Sequence, residues 1–368
     1  MRRVLAAAWL SLFLLPSGPP ELAADVDTPD LAAAFVRAAE SIRRHQNADG
    51  SWPTPVTVTP AFQSAGTEVN VFTPAVIVDL LDPVAKEVGL TRELELARGY
   101  LRRQVEPSGL VRYHGNHGAV DPARRGCEIP PDADDTVLIW RIAPPADPAL
   151  QTAARQEIER YKDASGLYLT WLADDQVYRC FHERYAGREW NPPDVAVEMH
   201  IHLFLAGVDP GAAARLCEAL RRRIDDDRIW IWYTVAPLLP LLREADLAAK
   251  GCAIRVPQGR LDRAVPGQEP YMAQARLLQA LLLKDASRDG SPTAPDPYVK
   301  ALQAAAHDGF AQIAKDPPLL YHNDPTATPP HYHWSEDFGL ALWLRLYVET
   351  ARRFPAALPP LPSGASSR

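Results

Sequence analysis

The sequence predicts an all-α fold, a single α/α toroid in which an inner and an outer ring of helices alternate. Three observations predict it. Segments that are apolar on nearly every side alternate along the chain with amphipathic segments. A helix apolar all round must be buried all round, whereas one with a single apolar stripe covers a core from outside. A basic helix end followed by a Gly-containing turn recurs about every sixty residues, which marks an internal repeat. Little of the chain reads as strand.

The repeat is clearest in three places. Ile42-Arg43-Arg44-His45 leads into Asp49-Gly50-Ser51, Leu101-Arg102-Arg103-Gln104 into Ser108-Gly109-Leu110, and Arg160-Tyr161-Lys162 into Ser165-Gly166-Leu167. In each, Lys or Arg suits the negative end of the helix dipole and Gly the left-handed turn that follows. A later Asp289-Gly290-Ser291 fits the pattern less well. The outer helices are expected at 31–44, 92–104, 149–162, 211–224 and 298–314. The inner ones are expected at 73–81, 134–142, 194–206, 230–242, 271–283 and 334–348. One outer helix, expected between Asp246 and Asp262, leaves no clear pattern, and the 36 prolines imply long connections there and around 317–330.

Met1-Arg2-Arg3, the apolar run to Leu15 and Leu22-Ala23-Ala24 before Asp25 read as a secretory signal peptide over 1–24. The expected organisation is then a toroid domain at 25–355 and a disordered Pro/Ser-rich tail at 356–368, in a secreted or periplasmic protein with no membrane-spanning segment after cleavage. The net charge of −7 and the lack of a long basic block argue against nucleic acid as a partner. Cys127, Cys180, Cys217 and Cys252 are widely spaced with no Cys-x-x-Cys pair. An oxidising compartment permits disulfides among them, and the sequence leaves all three full pairings open.

Chemistry concentrates at Pro131-Asp132-Ala133-Asp134-Asp135-Thr136, where three carboxylates crowd into four positions ahead of Val137-Leu138-Ile139-Trp140. Like charges this close cannot all ionise freely in a dry site, so at least one carboxyl is expected to keep its proton near neutral pH. The first turns of the other inner helices also carry polar or aromatic residues: Glu68 and Asn70, Asp194 and Glu198, Trp230 and Tyr233, Glu269 and Tyr271, and Tyr332, Glu336 and Asp337. Helix capping competes with chemistry as the reason for Asp132 and Asp194.

The Asp132-to-Thr136 segment resembles the Asp-x-Asp-Asp-Thr signature of class II terpenoid cyclases. His45-Gln46-Asn47-Ala48-Asp49-Gly50-Ser51-Trp52 is similar to the Gln…Asp-Gly-Ser-Trp loop of the wider superfamily that includes prenyltransferase β-subunits and carries the prenyltransferase/squalene-oxidase repeat. The resemblance implies a proton-initiated cyclisation or isomerisation of an apolar isoprenoid-type substrate. Asp134 would be the acid, with Asp132 and Asp135 tuning and orienting it. Trp140, Trp230, Tyr233 and Trp334 would line the substrate space, with Trp171, Trp190 and Trp232 as further aromatic candidates, and Glu336 and Glu198 would face it. Such chemistry needs no cofactor, with Mg2+ as a secondary option. The cyclases use two helical barrels and this chain has room for one, so a partner domain closing the barrel mouth is a further expectation.

Rival readings use the same mouth. A non-catalytic toroid would bind a ligand or partner there without a proton donor. A glycan-processing toroid would pair Asp134 with Glu336 or Glu198 across a groove. Zinc of the prenyltransferase type needs an Asp-x-Cys that the chain lacks. Other metal-ligand types at workable spacing are His331 and His333 with Glu336 and Asp337, and Glu198 with His202, whereas His200 and His202 fall on different faces of their helix.

Overall fold

A computed structural model describes residues 29–115, 129–182, 190–283, 294–323 and 325–361. Fourteen α-helices and a small antiparallel sheet lie among them. The signal peptide at 1–24, Cys127, and the turn at Asp289 lie outside the described residues.

Six helices form the interior: α2 (Phe72–Leu81), α4 (Ala133–Ile142), α7 (Val195–Val208), α9 (Leu238–Ala249), α11 (Glu269–Leu282) and α14 (Glu336–Arg353). Each packs on the next, α2 on α4 through to α11 on α14, and α14 returns to α2, so the six close a ring. Their sequences explain the placement. Ala133 through Trp140 are buried without exception, as are Val195 through Leu205, so neither helix has a face for water.

Outside the ring, α1 (Leu31–His45) lies on α14, α3 (Thr91–Arg102) on α2, α5 (Pro148–Glu159) on α4, α8 (Pro210–Arg223) on α7, and α12 (Asp296–Ala306) on α11 and α14. Their buried residues follow the helical period; in α1 they are Leu31, Ala34, Phe35, Ala38, Ala39 and Ile42. The outer element without a sequence pattern is reduced to a four-residue helix, α10 (Gln258–Leu261). A short α6 (Asp175–Phe181) and α13 (Ala311–Lys315) complete the helices. No helix among the described residues is long and apolar enough to cross a membrane.

The repeat turns staple neighbouring outer helices. Gly50 has φ +98°, and a Cβ there would lie 2.3 Å from the Leu96 carbonyl oxygen of α3. Gly109 makes the same approach to Leu150 of α5, with φ +82°. Trp52 is fully buried and donates its indole N–H to the Ile42 carbonyl at 2.9 Å.

Three expectations need correction. First, residues 230–237 are not the start of an inner helix. The Asp194 carboxylate accepts the N–H groups of Ile231 and Trp232 at 2.8 and 3.0 Å, which ties this segment down as a loop until Pro237 opens α9. Second, the fold is not purely helical. Strands β1 (Pro53–Thr57), β2 (Gly66–Val69), β3 (Leu319–His322) and β4 (Tyr332–Trp334) pair in the order β2-β1-β4-β3, all antiparallel, so Trp334 belongs to a strand and α14 starts two residues later. Third, residues 356–361, expected in a disordered tail, pack on the core: Leu358 is buried and Tyr347 donates its hydroxyl to the Pro359 carbonyl at 3.2 Å.

Candidate active site

Asp132 caps α4. Its Oδ1 accepts the N–H of Asp134 at 2.6 Å and of Asp135 at 3.3 Å, and its side chain therefore turns back along the helix end. Thr136, the last residue of the motif, accepts the Val111 N–H at 3.0 Å and so pins the strand of chain that follows the repeat turn. Glu198 does the equivalent on α7, accepting the Tyr168 N–H at 2.7 Å.

Asp134 and Asp135 extend from the first turn of α4 into different surroundings. Asp134 meets His200 of α7, its Oδ1 hydrogen-bonded to His200 Nδ1. The other ring nitrogen of His200, Nε2, accepts the Nε–H of Arg243 of α9 at 2.8 Å. Arg243 is ion-paired to Asp79 of α2 and to Asp246 at 3.1 Å, and Asp79 also binds Arg141 at 2.6 Å. A buried chain of charge thus runs behind Asp134 through four inner helices. Burial lowers the His200 pKa; the Asp134 charge opposes this, and Arg243 and Arg141 reinforce it. Burial would raise the Asp79 carboxyl, but Arg141 and Arg243 hold it below the usual carboxylate range.

Asp135 is almost fully buried, and neither carboxyl oxygen has a hydrogen-bond partner. Burial, then the charges of Asp132 and Asp134, push its pKa well above the ordinary value. Burial and the Asp134 charge do the same to Asp132. In Asp194, burial outweighs three backbone N–H donors and pushes the carboxyl up to about 7. Burial thus favours the neutral forms of Asp132, Asp135 and Asp194 around Asp134.

Aromatic rings continue from this acid end. Phe72 lies 6.3 Å from the His200 ring and packs edge-on against Tyr321 at 4.9 Å. Tyr321 stacks on His333 at 4.3 Å and packs edge-on against Tyr113 at 6.1 Å. Tyr233 is buried; burial, then the charges of Asp134 and Asp194, raise its hydroxyl pKa. Trp171 bridges to Asp132 and packs edge-on against Trp232 at 5.9 Å.

Beyond Tyr321 lies a second polar group. Glu68 of β2 accepts the Tyr113 hydroxyl, accepts Asn70 Nδ2 at 3.1 Å, and pairs with His333 Nδ1 at 3.3 Å. Tyr113 and Tyr321 share a hydrogen bond. Burial alone would raise Glu68, but its contacts with His333, Tyr113 and Asn70 more than offset that and bring it down to about 2. Burial thus shifts the carboxyls near Asp134 toward their neutral forms, whereas Glu68 is shifted toward its charged form.

Of the sequence-selected residues, the structure brings Asp132, Asp134, Asp135, Asp194, Tyr233 and Trp171 together. Trp140 donates its indole N–H to the Gly109 carbonyl at 2.7 Å, Trp230 to Ile224 at 2.8 Å, and Trp334 to Thr57 Oγ1 at 2.9 Å, and all three are buried. Trp190 is exposed. Glu336 lies beside Asp337 and His45, whose Nδ1 pairs with Asp337 at 2.8 Å. The suggested metal clusters separate, His333 going to Glu68. Among the described residues the grouped ligand types are His202, Cys217 and Cys252, within 4.8 Å, and a Cys217–Cys252 disulfide occupies both sulfurs.

No protein-family model matches the chain, and no curated protein sequence is significantly similar to it. Solved structures are similar. A variant of the type II terpene cyclase MstE from Scytonema, in complex with the substrate geranylgeranyl dihydroxybenzoate, superposes with a TM-score of 0.51 at 16% identity over 88% of this chain and 98% of that chain. A second variant of that cyclase, in complex with the product merosterolic acid A, gives 0.50 at 17% identity over the same shares. At such identities the likeness is one of fold: the chain has a type II terpene-cyclase-like fold.

Proposed function

We propose that this protein is a proton-initiated cyclase or isomerase of an isoprenoid-type apolar substrate, built as a single α/α toroid, with Asp134 as the acid. The observation that carries it is the buried Asp134–His200 pair at the head of a run of aromatic rings. Protonating an alkene makes a carbocation, which requires an acid away from water and ring faces that stabilise positive charge without attacking it.

In the proposed step the Asp134 O–H bond breaks as the alkene π electrons form a new C–H bond. Positive charge appears on the neighbouring carbon and is passed on as further double bonds close rings. The Asp134 carboxylate left behind is stabilised by the His200 N–H. In this reading Phe72, Tyr321 and Tyr233 supply the ring faces for the cation. The reaction ends when a carbon beside the last cation loses a proton and its C–H pair becomes a double bond. Glu68, held deprotonated beyond Tyr321, is suited to receive that proton through Tyr113 and Tyr321.

This reading does not call for the expected partner domain over the mouth, because the MstE variant that is in complex with its substrate matches this chain over 98% of its own length. The polyprenyl tail and polar aromatic head of that cyclase's substrate make it the first probe here. Purified protein incubated with geranylgeranyl dihydroxybenzoate and with simpler polyprenyl chains should release cyclic isomers of unchanged mass, and Asp134→Asn should not. Equal turnover by Asp134→Asn would remove Asp134 from the role. Consumption of none of these probes by the native protein would count against the cyclase reading as a whole.

A further inference from the structure

A carboxyl beside an imidazole has a difficulty as an acid. In water the imidazole is the stronger base, with a pKa of about 6.5 against about 3.9 for Asp, so a bare pair keeps its proton on the ring and leaves a carboxylate. Such a carboxylate cannot protonate an alkene. His200 has the contacts that reverse this preference.

We propose that Arg243 is a positioning residue of the site: by donating its Nε–H to His200 Nε2, it denies that nitrogen a proton and so keeps the proton of the Asp134–His200 pair on Asp134. A guanidinium carries donors only, so the nitrogen it binds must act as acceptor. His200 Nε2 is that acceptor, at 2.8 Å, and the ring's single hydrogen is thereby assigned to Nδ1, which faces Asp134 Oδ1. With Oδ1 accepting that N–H, a proton carried by Asp134 sits on Oδ2. The ring is fully buried, so water cannot take over the role of Arg243.

The charges around His200 act in the same sense. From α4, Asp134 favours an imidazolium while Arg141 opposes it; from α9, Arg243 opposes it; from α8, the basic Arg221 acts on His202 instead. Arg243 is itself fixed by Asp79 on α2 and by Asp246, so its Nε–H cannot swing away from the ring without breaking two ion pairs. Arg141 also holds Asp79, so loss of Arg243 leaves that carboxylate paired.

The purpose of this device rests on the cyclase reading, but its protonation state is measurable without substrate. In the full chain labelled with 15N-histidine, and with the His200 signals assigned by their loss in His200→Gln, long-range 15N–1H correlation at neutral pH should show a neutral ring protonated at Nδ1. Arg243→Met should convert it to the doubly protonated form. Arg243→Leu, which likewise offers no donor to Nε2, should do the same and serves if the Met variant does not fold. A doubly protonated His200 in the native protein, or a neutral one in the variants, would overturn the assignment. Turnover of geranylgeranyl dihydroxybenzoate separates the two ideas: a neutral native His200 with no turnover leaves the Arg243 assignment standing and counts against the cyclase, while turnover with a native imidazolium does the reverse.

Discussion

Asp134 and Asp135 are neighbours in sequence whose environments divide the labour between them. Asp134 has a hydrogen-bonded partner, which stabilises the carboxylate it becomes after giving up a proton. Asp135 has none, and burial keeps it neutral. Asp134→Asn is therefore expected to lower turnover by about 10²-fold to 10⁴-fold, the usual worth of a positioned acid, with a melting temperature close to native. The raised acids carry a pH dependence of the opposite kind. Above about pH 4 an unfolded Asp is ionised, whereas folded Asp194 holds its proton up to about 7 and Asp132 and Asp135 are raised as well. At these acids the folded state then binds more protons than the unfolded one, so their contribution to stability is fullest at the acid end of this window and falls as pH rises through it, while the lowered His200, His202 and His331 act in the opposite sense. His45, raised by its hydrogen bond to Asp337, adds to the trend of the raised acids, and Glu68 acts only as pH falls toward about 2. Thermal melts of the native protein and Asp135→Asn across this window should converge at low pH, with the variant the more stable at neutral pH. A stability difference that does not change with pH would mean that the Asp135 carboxyl holds its proton equally well folded and unfolded, against the raised pKa that burial gives it. The crowded carboxylates were legible because crowding shows in the letters. His200, Arg243 and Asp79 were not, since their pairing joins residues far apart in the chain. A signal did exist: Asp79, Arg141 and Arg243 are charges inside helices otherwise apolar all round, and such charges must find each other.

The repeat turns show how elements are joined. Gly50 approaches Leu96 so closely that any Cβ would collide with backbone, and its φ lies where side chains are disfavoured. Gly50→Val should lower stability by about 2 kcal/mol or more, several degrees in melting temperature, without altering the His200 protonation state. An unchanged melting temperature would contradict the staple. The helical alternation was readable because its period is local: inner helices lack a polar face and outer ones have a stripe. The loop at 230–237 misled because its apolar residues look helical, while its backbone is committed to Asp194 from another helix. The strands were missed for a related reason. Pro53 and Pro55 disguise β1, and its partners come from β2 and from β4 near the other end of the sequence.

The ring closes where the ends of the chain meet. α14 packs against α2 and α1, and β1 pairs with β4, with Val56 opposite His333 and Thr57 opposite Tyr332, so the sheet joins early and late segments and places Glu68, Tyr321 and His333 together. On the outer side the Cys217–Cys252 disulfide ties α8 to the segment after α9, across 35 residues. By loop-closure entropy, replacing both cysteines with serine should cost about 3–4 kcal/mol, read as a lower denaturation midpoint. The central claim is that the molecule delivers a solvent-derived proton from Asp134 to carbon, and isotope transfer tests it most directly. After incubation of the native protein and Asp134→Asn in deuterated water with geranylgeranyl dihydroxybenzoate, mass spectrometry and NMR of the recovered material report whether deuterium is bound to carbon. The account predicts a cyclic product with carbon-bound deuterium from the native protein and unreacted, unlabelled probe from the variant; a cyclic product without carbon-bound deuterium, or labelling that persists in Asp134→Asn, would contradict it.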